Sequence, residues 1–196
     1  DCDDWDVIEQ TFRLLADSAD EQPRRFMHRD FHSRNLLIAR ADNPPTTAIG
    51  SPSRLMINPG IVDFQGAMLG PVSYDLASLL RDCYIAWPIE RVDAWVEAHR
   101  NRLATEGIVD VGAARFRRWF DLIGLQRHIK VLGIFCRLWY RDGKAGYLAD
   151  LPRVLDYVLG VAGLYPQLLD FAALLQRAVG DRDISRPRAI EAAAGA

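Results

Sequence analysis

Cysteine is scarce in this chain, and its few copies do not pair. Cys2, Cys83 and Cys136 are an odd number with no short paired spacing. No disulfide framework follows from them, and no zinc site of the Cys/His type is visible. Cys83 and Cys136 fall in apolar helical patterns, where reduced core thiols of a cytosolic protein are the expected outcome. A basic excess is missing too. The net charge of -2 gives no electrostatic reason to expect nucleic acid or an anionic membrane as partner.

Other signatures are absent as well. The N-terminal DCDDWDVIEQ has neither a basic n-region nor an apolar h-region, so no signal peptide is visible. The most apolar long window, Val154 to Leu175, contains Asp156, Pro166, Gln167 and Asp170. A carboxylate at a bilayer centre costs roughly 2.5–3.5 kcal/mol, so two soluble helices are predicted there and a cytoplasmic protein is expected. The GKAG at Gly143–Gly146 lacks both the earlier glycine and the Ser/Thr of a P-loop. A Gly-x-Ser-x-Gly nucleophile turn is also missing.

What is present is an ordinary globular composition, 49% hydrophobic and 26% charged over 196 residues. That length suits one domain with a substantial core. Val7, Ile8, Phe12 and Leu15 predict a first helix near Asp6–Ala16. Short apolar runs at Arg25–His28, Asn35–Ala39, Leu55–Asn58 and Ile61–Phe64 predict strands. The stretch ADNPPTTAIGSPS, residues 41–53, reads as an exposed, dispensable loop inserted between them.

From Tyr74 onward the pattern is helical. Helices are expected over Tyr74–Tyr84, from Pro88 to Gly107, and from about Ala113 to Arg141. Asp150 is expected to cap a further helix that ends near Leu164, and the last covers Gln167–Val179. The tail, residues 181–196, has no clear partner face. The fold class is therefore mainly α with a small β-hairpin patch resting on the helices.

The chemistry concentrates in HRDFHSRNLLI, residues 28–38, and IVDFQGAMLGPVSYDLASLL, residues 61–80. His28, Asp30 and Asn35 form a His-x-Asp-x-x-x-x-Asn pattern between two predicted strands, and Asp63-Phe64 ends a later one. Phosphoryl transfer passes through a loose transition state, so catalysis is mainly positioning and charge stabilisation. Mg²⁺ takes hard oxygen ligands, and a carboxylate plus an amide oxygen supply them. Asp63 and Asn35 suit that role. Asp30 suits a base that orients an acceptor hydroxyl and takes its proton late.

These segments resemble the catalytic loop and metal-binding strand of the protein-kinase-like superfamily, in the version found in aminoglycoside phosphotransferases and choline kinases. The resemblance implies ATP and Mg²⁺ as cofactors and a C-terminal catalytic lobe over residues 1–180. It implies that His28 and Asp75 support the catalytic loop, Asp75 from below, and that the lobe pairs with an N-terminal nucleotide-binding lobe. Nothing before His28 could form that lobe, and no glycine precedes Gly50. The expectation is an inactive isolated chain whose inter-lobe face is apolar enough to self-associate.

Taken with GLQRHIKVLGIFCRLWYRDGKAGYLADLP, residues 124–152, the likeness narrows to the amino-sugar kinases of cell-wall recycling. These phosphorylate N-acetylmuramate and N-acetylglucosamine at the anomeric hydroxyl. Kinases of aminoglycosides or other small alcohols are the alternative, and a non-catalytic binding remnant is the alternative of another class. Gly66 departs from the pattern where an acid is expected, and the 39–57 connection is longer than usual.

The long helix carries an apolar stripe, Leu122, Leu125, Ile129, Leu132, Cys136 and Trp139, and a basic one, Arg127, Lys130, Arg137 and Arg141. The basic stripe reads as a solvated face. The sharper reading is that Gln126, Arg127 or His128 turns into the cleft, where Arg suits the lactyl carboxylate of the acceptor. Arg34, beside Asn35, reaches either a phosphate or solvent.

Overall fold

The structure is a computed structural model that describes residues 2–38 and 59–187. The expected loop 41–53, the strand at 55–58 and the tail from residue 188 lie outside the described residues. In chain order the elements are α1 (Cys2–Asp20), β1 (Arg24–Met27), β2 (Leu36–Leu37), β3 (Gly60–Ile61) and β4 (Met68–Pro71). Then come α2 (Tyr74–Leu80), α3 (Ile89–Thr105), α4 (Ala113–Asp142), α5 (Leu151–Ala162) and α6 (Leu169–Val179).

The β elements form two small antiparallel pairs. β1 lies against β4 with Met27 opposite Met68, and β2 lies against β3 with Leu36 opposite Ile61. β4 was not among the expected strands. Pro71 falls at the strand end opposite Arg24, where it interrupts little of the ladder. Gly70 serves close packing: a Cβ there would come 2.6 Å from the Met27 terminal methyl. The strand expected over Ile61–Phe64 stops at Ile61, because Asp63 turns left-handed at φ 69° and Phe64–Gly66 forms a 3-10 turn. Ser33–Asn35 is likewise a 3-10 turn leading into β2.

The helices follow the punctuation of the sequence closely. α3 begins directly after Pro88, and Gly107, at φ 67°, follows its end. Gly143, at φ 66°, closes α4 in the left-handed conformation that only glycine adopts cheaply. Some ends differ from expectation: α1, at Cys2–Asp20, outruns the expected Asp6–Ala16 at both ends. α2 stops at Leu80 because Arg81 leaves helical geometry at φ -118°, ψ 53°. Asp150 makes no capping hydrogen bond, because the 3-10 turn Ala145–Asp150 runs straight into α5; its carboxylate lies 3.7 Å from Arg153 instead.

α4 organises the core. Phe116, Trp119, Phe120 and Ile123 pack against α2 and α3. Leu122 and Leu125 meet Leu15 of α1, Val158 of α5 and Phe171 of α6. Phe135 packs on Leu148, Leu151 and Val154, with Ile184 of the tail against the same cluster. Each such side chain contributes about 1.5–3 kcal/mol by leaving water. The apolar stripe read from the sequence is thus one of several buried faces. The basic stripe divides: Lys130, Arg137 and Arg141 are exposed, but Arg127 is buried.

A buried charge network pins the end of α2. The Arg81 guanidinium pairs with Asp121, which also accepts hydrogen bonds from Arg117 at 3.0 Å and the Tyr165 hydroxyl at 2.8 Å. Removing one partner of such a pair costs about 3–5 kcal/mol. The opposite, β-bearing side is apolar yet uncovered: Phe26, Ile38, Phe64, Met68 and Leu69 are all exposed.

Candidate active site

The site is built from the loop after β1, the turn before β2 and the turn after β3. Two cross-links join these segments. The His28 imidazole, buried at 4% exposure, donates from Nε2 to the Val62 carbonyl at 3.0 Å. The Val62 N–H in turn donates to the Asn35 carbonyl at 3.1 Å.

Within this frame Asn35 sits between two carboxylate-bearing residues. Its amide nitrogen donates to the Asp30 carbonyl at 2.9 Å and lies 3.4 Å from Asp63 Oδ2. The other Asp63 oxygen accepts from Gln65. Three residues far apart in sequence, Asp30, Asn35 and Asp63, are therefore brought together. Asp30 and Asp63 are exposed on the β side of the molecule. Because the amide nitrogen of Asn35 is committed to a carbonyl, Oδ1 is the atom able to serve a cation. One amide oxygen and one carboxylate fit an Mg²⁺ ion that takes the rest of its shell from phosphates and water. Among the described residues no group of three or more His, Cys, Asp and Glu could hold a metal by itself.

Asp75, in the first turn of α2, grips the loop from beneath. Its Oδ2 accepts the His28 backbone N–H at 2.6 Å and its Oδ1 the Arg29 N–H at 3.0 Å. Burial pushes its pKa up, against the two backbone hydrogen bonds. Arg29 is left-handed at φ 76°, and its guanidinium reaches the Gly66 carbonyl at 3.3 Å. A Cβ at Gly66 would stand 3.7 Å from that guanidinium, so the acid expected at this position would have met a cation.

The remaining sequence candidates separate. The Arg34 guanidinium lies over the Tyr84 ring at 3.5 Å, and His32 meets the same ring edge-on at 5.4 Å. Arg34 also lines a recess of about 230 Å³ with Gly146, Tyr147 and Asp150. Gln126, Arg127 and His128 point three ways, as successive helical residues must. Gln126 is exposed on a groove shared with Asp20, Arg24 and Tyr74. Arg127, 6% exposed, lies under the loop and donates to Cys83 Sγ at 3.4 Å; its charge depresses the pKa of His32, which burial lowers most. His128 is fully buried, and burial drives its pKa down to about 3. It has no surface to offer an acceptor.

Sequence reasoning missed two participants, Asp82 and Tyr84. Asp82 is 1% exposed and accepts the Ser33 N–H at 2.8 Å. Its sequence signal was slight: an aspartate two residues before Tyr84, just past the end of α2, able to lock a turn on the Tyr84 N–H.

The sequence pattern of the phosphotransferase enzyme family matches residues 1–115, and the chain belongs to that family. Among its relatives is the N-acetylmuramate/N-acetylglucosamine kinase of Neisseria meningitidis serogroup B, 40% identical over 177 residues, 90% of this chain and 48% of that protein. The kinase of the same name from Pseudomonas putida is 39% identical over 172 residues, 87% of this chain and 45% of the relative. That of Caulobacter vibrioides is 32% identical over 177 residues, 90% and 43% respectively. The chain spans about half the length of the curated relatives it matches. Among the described residues no helix is long and apolar enough to cross a membrane.

Proposed function

We propose that this chain is the catalytic half of an ATP-dependent kinase acting on the anomeric hydroxyl of N-acetylmuramate or N-acetylglucosamine. The observation that carries the reading is Asn35, whose amide touches both the Asp30 backbone and the Asp63 carboxylate. The names of the relatives supply the acceptor class. Asp30 is the catalytic base: it accepts the hydrogen bond of the acceptor hydroxyl, aims the oxygen, and receives its proton late. Asp63 and Asn35 would hold Mg²⁺, which when bound neutralises charge on the nucleotide's phosphates. His28 and Asp75 hold the loop. Arg34, exposed and stacked on Tyr84, would offer a cation to a phosphate or to the acceptor's carboxylate.

The same reading makes residues 1–180 a C-terminal lobe of the protein-kinase-like fold, with 41–53 an insertion and 181–196 a tail. A second, nucleotide-gripping lobe would cover the exposed Phe26, Phe64 and Leu69 beside the site. A reaction that consumes ATP belongs in the cytoplasm. Product analysis by phosphorus NMR with N-acetylmuramate, N-acetylglucosamine, kanamycin and choline tests the acceptor. An anomeric phosphate on the amino sugars is expected; preference for kanamycin or choline would move the assignment to a kinase of cationic alcohols.

A further inference from the structure

The loop that carries Asp30 is gripped at both ends. Asp75 takes the N–H groups of His28 and Arg29, two residues and one residue before Asp30. At the far side a second carboxylate takes the N–H of Ser33 at 2.8 Å, three residues after it. That carboxylate belongs to Asp82, in the turn that follows α2. Its own orientation is fixed locally, because Oδ1 accepts the Tyr84 N–H at 2.8 Å while Oδ2 reaches the loop. An aspartate bonded to the backbone two residues on is a self-locked turn. Asp82 is 1% exposed, so neither bond is exchanged for water. The helix end beneath it is in turn immobilised by the neighbouring Arg81–Asp121 pair.

We infer that Asp82 is a positioning residue for Asp30, acting through the Ser33 amide to set the far end of the catalytic loop. The Ser33–Asn35 turn begins at that amide, so Asp82 also sets the approach of Asn35 to Asp30 and Asp63. Asp30 itself is exposed, and its backbone carbonyl accepts the His32 N–H and the side-chain amide of Asn35. With one tether the loop could pivot about His28; with two it cannot. The catalytic consequence rests on the phosphotransfer reading. The tether itself does not.

Two variants test it from opposite ends. Asp82→Asn keeps the shape, but an amide can no longer accept both N–H groups. Ser33→Pro removes only the donor: proline is tolerated in the first position of a helical turn, and His32 at φ -136°, ψ 170° is already extended as a following proline requires. Amide hydrogen exchange on this chain should show Ser33 protected in the parent and unprotected in Asp82→Ala, which leaves no acceptor. In the full-length kinase, each variant should lower kcat about 10- to 100-fold, the cost of a misplaced catalytic group, with nucleotide KM within about twofold. The double variant should fall no further. Ser33→Ala, which keeps the N–H, and Val96→Ala, a core change away from the loop, control for side-chain loss and for lost stability.

Unchanged Ser33 exchange in Asp82→Ala, additive losses in the double variant, or kcat within twofold of the parent in both single variants would overturn the inference. If Asp82→Asn fails to fold, Ser33→Pro decides alone. Turnover that survives Asp30→Asn would instead sink the phosphotransfer reading, and the tether would then stand or fall on the exchange data.

Discussion

The imidazole of His128 lies flat on the ring of Tyr157, centroids 4.9 Å apart and planes 12° from parallel. Its Nε2 is 2.8 Å from the Arg81 carbonyl, so that nitrogen carries the proton and the ring is neutral. Burial holds its pKa at about 3, below the ordinary 6.5. The unfolded chain therefore binds the extra proton first. Stability from this site is complete above pH 6.5 and declines as pH falls toward 3, by a few kcal/mol in all. Thermal melts across that range should show a steeper acid loss in the parent than in His128→Gln. Parallel pH curves would mean that His128 reaches water.

Asp30→Asn in the full-length protein should abolish transfer and leave nucleotide affinity nearly unchanged. On the proposed reading Asp30 acts on the acceptor hydroxyl, and among the described residues the loop bonds at this position run through its backbone carbonyl. Phosphate transfer at saturating sugar, measured beside nucleotide binding, checks both halves. Turnover within tenfold of the parent removes Asp30 from the catalytic role.

Arg127 lies under the loop, where its charge bears on His32, Asp75 and Cys83. It lowers the His32 pKa, on top of the larger effect of burial. Arg127→Met should therefore raise that pKa, because the imidazolium no longer faces a buried cation. Histidine ring NMR titrations of the two proteins measure this directly. A downward shift would contradict the placement of the guanidinium.

Expressed alone, this chain should fold but not turn over ATP. Three hydrophobic clusters anchored on α4 give it a core of its own, whereas the reaction needs a nucleotide held from both sides. The exposed Phe26, Phe64 and Leu69 should also drive self-association, read by sedimentation as a concentration-dependent increase in mass. Turnover by the isolated chain, lost in Asp30→Asn, would show that the second lobe supplies less than supposed.

The helices were legible because their ends are chemically marked. Pro88, Gly107 and Gly143 fix boundaries whatever the packing, and α3 and α4 fall where they say. β4 was illegible for the converse reason: Met68–Pro71 takes its strand form from its ladder with β1, a partner distant in sequence, and its Gly70 from the closeness of Met27. In the site, the Asp30–Asn35–Asp63 grouping was readable from residue chemistry. Arg127 was not. A helix enclosed by α1, α2, α3 and α5 has no simple polar face, so a basic position on it can be buried without disturbing the pattern.

Asp75 and Asp82 hold the loop by main-chain N–H groups alone, at His28, Arg29 and Ser33. Neither aspartate bonds the side chains of Arg29, Phe31, Ser33 or Arg34. On the proposed reading, Phe31, Ser33 and Arg34 can change identity while both tethers remain, which would separate what positions Asp30 from the surface that chooses the acceptor. A lineage built on this loop is free to explore new alcohols by single substitutions, provided the two aspartates of the α2 segment are left alone.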